Sequence, residues 1–157
     1  LRRADPDDDV GDSALIDDWL ALLQTERVDF TLAWRRLADA AEGDEAPVRA
    51  LFADARALDA WLARWRDRCA DENGAMDVNT AMIERTKSMR RVNPIFIARN
   101  HRVEEALAAA SDEDDLGPFE HLLEVLRRPY DDAPQLAPFA EPAPPGVTES
   151  YRTFCGT

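Results

Sequence analysis

Apolar residues return every three or four positions along most of this 157-residue chain, a spacing that calls for helices. Phe30, Ala33, Trp34, Leu37, Ala38 and Ala41 recur at i, i+3, i+4, i+7 and beyond, and Gly43 closes that pattern. Leu15, Ile16, Trp19, Leu20, Leu22 and Leu23 make a stripe after Asp12-Ser13, either of which can serve as N-cap. A third runs through Leu58, Trp61, Leu62, Trp65 and Cys69 and ends before Asn73-Gly74. Between the Phe30–Ala41 and Leu58–Cys69 stripes, Pro47 with Val48, Leu51 and Phe52 predicts a short helix. A weaker helix carries Met82, Ile83 and Met89 as far as Asn93-Pro94. Asn93 as N-cap and Pro94 at the first helical position would then open a helix through Ile95, Ile97, Ala98, Val103, Ala106, Leu107 and Ala110. Gly117-Pro118 opens a last one with Phe119, Leu122, Leu123 and Leu126 on one face, stopped by Pro129. No segment sustains the period-two alternation of a strand, so no sheet is predicted. The expected fold is all-α: a bundle-like domain of about six helices over residues 13–128.

The two ends read differently. Six of the ten prolines stand at 129, 134, 138, 142, 144 and 145, which predicts an extended tail over residues 129–157. Tyr130, Leu136, Phe139, Tyr151 and Phe154 are the side chains able to lay it across the helices. Residues 1–12 are strongly acidic and are expected to be disordered or frayed.

Length predicts one domain, burying about 70% of the surface of its unfolded chain. With 19 Lys and Arg against 32 Asp and Glu the net charge is -13, which repels nucleic acid and anionic lipid at long range. No apolar run approaches the roughly 18 residues of a membrane span. Leu1-Arg2-Arg3-Ala4-Asp5-Pro6 lacks the apolar stretch of a secretory signal, and without an initiator Met the chain is expected to be a piece of something longer. Two cysteines, Cys69 and Cys155, do not make a disulfide-stapled secreted domain, so a cytoplasmic, reducing location is expected.

Little here has the pattern of a catalytic site. The glycines stand at 11, 43, 74, 117, 146 and 156, never two together, so no loop can cradle a phosphate with clustered backbone N–H groups. The only lysine, Lys87, lies in a helical pattern and not on the strand a kinase-type site requires. His101-Arg102-Val103 has the wrong third residue for a kinase catalytic loop, and Ala108 occupies the metal-binding Asn position. A calcium loop beginning at Asp5 fails at Val10 and Ile16, where glycine and glutamate are needed. His101 and His121, 20 residues apart, have no companion ligands for a metal. Cys69 and the four tryptophans at 19, 34, 61 and 65 read as core. No catalytic, cofactor-binding or metal-binding residue is therefore assigned.

Two features carry chemistry. Arg85, Lys87, Arg90, Arg91, Arg99 and Arg102 form a basic strip, with Glu84 the only acid between positions 84 and 102. Such a strip can bind a phosphate or dock an acidic or phosphorylated partner through forked guanidinium contacts. Its simpler use is to complement a helix C-terminus and pair with the chain's own carboxylates. Cys155 stands two residues from the end of the chain. Its neighbourhood, with only Arg152 nearby and the terminal carboxylate opposing a thiolate, does not activate it. A tail thiol acts by reach, meeting a second cysteine at high effective concentration.

Residues 89–100 read MRRVNPIFIARN, residues 122–131 read LLEVLRRPYD, and residues 153–157 read TFCGT. In this order the three blocks closely resemble the C-terminal part of selenoprotein O, the YdiU group; Asp29-Phe30-Thr31 and Trp61 to Trp65-Arg66 look similar too. Ala98 departs from the proline many relatives carry before the Arg-Asn pair. The resemblance implies a parent with a kinase-like fold, a pseudokinase that transfers AMP from ATP to hydroxyl side chains of proteins with Mg or Mn. It places the nucleotide and metal residues in a preceding domain, which would be this segment's partner alongside the protein substrates. It also implies that Cys155 matches a position held by selenocysteine or cysteine, where a redox link is thought to regulate activity. The segment itself would be structural and regulatory, and inactive alone. The alternative is a freestanding helical interaction module that uses the basic strip.

Overall fold

A computed structural model describes residues 6–144 and 146–147, with side chains from Gly11 onward. All regular structure among them is helical: eight α-helices and one 3₁₀ turn, as the spacing of apolar residues predicts. The chain divides into two compact units, with the division between Asn93 and Pro94.

The first unit holds α1 (Pro6–Thr25), α2 (Phe30–Ala41), α3 (Ala46–Arg49), α4 (Ala55–Asn73) and α5 (Val78–Val92). α1 begins at Pro6, upstream of the expected N-cap at Asp12-Ser13 and within the segment expected to fray. Pro6, at the first position, forfeits only a donor the first turn cannot use. Aspartates open three further helices by accepting a backbone N–H: Asp29 from Leu32 at 2.9 Å, Asp54 from Arg56 at 3.0 Å and Asp77 from Thr80 at 3.0 Å. Gly43, at φ +102°, turns the chain out of α2 as expected. The core of this unit gathers Trp19 and Leu23 of α1, Ala33 and Leu37 of α2, Val48 of α3, and Leu58 and Leu62 of α4. α5 lies along α2, with Thr86 Oγ1 donating to the carbonyl of Ala38 at 3.3 Å.

The second unit opens with a surprise. Pro94 does not start a helix, and Asn93 is the C-cap of α5. Residues 94–99 are irregular, with Ile95 and Phe96 buried and both their N–H groups donating to the carbonyl of Pro129, at 2.8 and 3.1 Å. Burying these two side chains and satisfying their donors across the unit outweighs the local cap-plus-proline signal. The helix α6 starts later, at Asn100–Asp112, and α7 follows at Gly117–Leu126. Asp114, at φ +55°, makes the turn between them, and Asp115 Oδ1 accepts from the Gly117 N–H at 2.8 Å. Ala106, Leu122 and Val125 are buried in the hairpin. The segment after Pro129 is less extended than its prolines predict: a 3₁₀ turn at Pro134–Leu136 leads into α8, Ala137–Ala140. Pro134 and Pro138 each sit in a first turn, where the missing N–H costs nothing.

Candidate functional site

Trp19 is fully enclosed, and three aromatic rings surround it in the first unit. Its ring centroid lies 4.4 Å from Trp61, 5.9 Å from Trp34 and 6.0 Å from Phe52. Trp61 donates its indole N–H to the carbonyl of Leu15 at 2.9 Å, tying α4 to α1, and stacks on Trp65 at 6.0 Å. The outer members of this cluster do more than fill the core. Trp34 and Trp65, with Met89 and Cys69, wall a cleft of about 310 Å³ whose rim carries Arg68 and Arg85. Sequence reading placed all four tryptophans and Cys69 in the core; Trp34, Trp65 and Cys69 are only half-buried.

The cleft's charges are paired. Arg68 grips Asp12 through Nε at 2.5 Å and Nη2 at 2.9 Å, and that contact holds the Asp12 carboxyl below its ordinary range. Arg85 Nη2 donates to the carbonyl of Cys69 at 2.9 Å, to Asn73 Oδ1 at 2.7 Å and to Glu72 Oε2 at 3.2 Å. Burial pushes the Cys69 thiol up, and the nearby Arg85 charge only partly opposes it. That shift disfavours the thiolate, the form that acts as a nucleophile. What the cleft can do is accept an apolar or aromatic group between indole walls.

The residues of the basic strip are distributed over both units. Arg85, Lys87, Arg90 and Arg91 belong to α5, while Arg99 and Arg102 belong to the second unit. Within α5, Lys87, Arg90 and Arg91 lie on one side at i, i+3 and i+4, and Arg85 stands on another, about 200° from Lys87 at 3.6 residues per turn. Lys87 pairs with Glu84 at 3.0 Å, and Arg90 with Asp39 at 2.7 Å and Glu42 at 3.3 Å. Arg91 is exposed. Arg102 binds Glu105 at 2.8 Å and the carbonyl of Pro138 at 2.9 Å, and Arg99 is buried. Several of these cations thus engage the chain's own carboxylates and carbonyls. Cys155, Tyr151 and Phe154 lie outside the described residues.

One buried cation escaped the sequence reading. Arg35 is only 3% exposed, and its Nη1 donates to the carbonyls of Arg90 at 3.1 Å and Asn93 at 3.3 Å. A guanidinium from α2 thereby caps the C-terminal end of α5, where the last carbonyls and the negative end of the dipole call for a cation. It stands outside the apolar arc of α2, about 60° beyond Ala38 at 3.6 residues per turn, so its position reads as surface.

Among the described residues there is no group of three or more His, Cys, Asp or Glu placed to hold a metal. Nor is any described helix long and apolar enough to cross a membrane.

A family model described as protein adenylyltransferase SelO matches residues 5–127. Relatives named protein nucleotidyltransferase YdiU include one from Cereibacter sphaeroides, 50% identical over 147 residues, and one from Bradyrhizobium sp., 51% identical over 148. Another, from Chromobacterium violaceum, is 47% identical over 147 residues. These alignments take in 93–94% of this chain but only 28–29% of the relatives, so the chain spans less than a third of their length. By residue pattern and by these matches, the chain belongs to the SelO family.

Proposed function

We propose that this chain is the C-terminal helical region of a protein adenylyltransferase, and that it acts there as scaffold and redox latch. The observation that carries the reading is the match itself: high identity over nearly the whole chain, confined to under a third of relatives named as nucleotidyltransferases. In the complete protein a preceding kinase-like domain would bind ATP with Mg or Mn and pass AMP to hydroxyl groups of protein substrates. This segment's own residues contribute no step to that transfer. The glycine spacing, the helical Lys87 and the paired carboxylates around the cleft all agree with such a division of labour.

Cys155 supplies the regulatory part. Its thiol and a second cysteine thiol lose two protons and two electrons to a disulfide oxidant such as oxidised glutathione, and one S–S bond forms. That bond ties the tail down and restricts substrate access; reduction releases it. The test compares AMP transfer by the complete gene product and by its Cys155→Ser variant, each with and without dithiothreitol. Reductant should raise the activity of the parent and leave the variant unchanged, while an equal response in both removes the latch. The 157-residue chain alone should transfer no AMP, and robust transfer by it overturns the scaffold reading. A freestanding module built on the basic strip receives less support, since Arg85, Arg90 and Arg102 are engaged within the chain.

A further inference from the structure

The apolar residues of α7 cover about half of its circumference, with the half-buried Leu126 between Leu122 and Phe119 at 3.6 residues per turn. Leu122 and Val125 are buried in the hairpin with α6. Leu116, Phe119 and Leu123 fall within about 60° at one edge of that apolar arc, at 3.6 residues per turn. These three remain 57%, 43% and 39% exposed. A helix that packs on one neighbour needs one apolar stripe. The edge of the apolar arc at Leu116, Phe119 and Leu123 has no cover among the described residues, and single scattered apolar residues would not line up in this way. Its border carries more acid than base: Glu120 and Glu124 are exposed beside it, as is Arg127 at the C-terminal end, while Asp112, Glu113, Asp114 and Asp115 gather at its N-terminal end.

We propose that the Leu116–Phe119–Leu123 stripe is an intramolecular docking surface, covered by the part of the polypeptide that the relatives carry outside the matched segment. That covering surface is apolar at its centre and has lysine or arginine at its edge, to complement the acidic border. The matched relatives hold more than two thirds of their length elsewhere, and a tethered neighbour meets such a stripe at high effective concentration. The inference rests on the reading above only in requiring a longer parent. It needs none of the parent's chemistry.

A thiol placed by Leu123→Cys, in a Cys155→Ser background, reports on the cover. Its alkylation by N-ethylmaleimide is followed by mass spectrometry of the peptide, in the complete gene product and in the 157-residue chain. In the complete product the rate should fall at least about tenfold, as expected for a site that reacts only through local opening. Phe119→Glu in the same protein should restore the fast rate without loss of helical circular dichroism. Equal rates in the two proteins overturn the proposal, as does a slow rate that Phe119→Glu leaves unchanged. Protection that grows with protein concentration assigns the stripe to a second copy and also overturns it. AMP transfer measured on the same samples separates the two readings: protection without transfer keeps the docking surface and removes the proposed activity, and transfer without protection does the reverse.

Discussion

Arg35 shows how one side chain can be structural while looking like surface. Its guanidinium replaces water at the carbonyls of Arg90 and Asn93. Substitution by methionine keeps much of the length and apolar stem but leaves those carbonyls without their donor. Losing charged hydrogen bonds to buried acceptors costs about 1–3 kcal/mol. Arg35→Met should therefore lower the urea midpoint with an unchanged m-value; a midpoint within error of the parent would show that water caps α5 equally well. Cys69 makes the complementary point. A thiol on an apolar stripe was legible as a small buried hydrophobe, but its place on a cleft wall beside Arg85 depends on how α4 and α5 meet, which periodicity does not encode.

At the scale of elements, helix beginnings divide into those written locally and those imposed from a distance. Asp29 precedes the apolar stripe of α2 and accepts the Leu32 N–H, a local device. Asp29→Ala should cost about 1 kcal/mol, the usual worth of an N-cap, while Asp29→Ser should recover most of it. Equal losses in the two variants would mean that Asp29 acts through another contact. Asn93-Pro94 has the same kind of local signal and no helix follows it. There the chain spends Ile95 and Phe96 on burial and their donors on Pro129, 33 or more residues away in sequence.

For the molecule as a whole, the division at Asn93 has a direct consequence. All four tryptophans and the main hydrophobic cluster lie in the first unit, and the Asn93 carbonyl that Arg35 caps is still within it. A chain ending at residue 93 should keep the cooperative unfolding and the blue-shifted tryptophan emission of the full 157 residues. Red-shifted emission and a non-cooperative melt would show that the first unit does not fold by itself.

Helical content, the rough extents of α2, α4 and α7, and the absence of strand pattern were all determined by the sequence, because a 3.6-residue period reports directly on which side of a helix is apolar. So was the family, through blocks that need no coordinates to be read. Tertiary structure alone decided that the chain breaks into two units, that Pro94 ends a helix without beginning one, and that a buried arginine caps α5. It also decided that Arg85 and Arg90 of the basic strip pair with carboxylates outside their own helix and that α7 leaves one edge of its apolar arc open among the described residues. The physical reason is common to all of these: each depends on which distant groups meet, and burial with satisfied hydrogen bonds outweighs the preferences that neighbouring residues express.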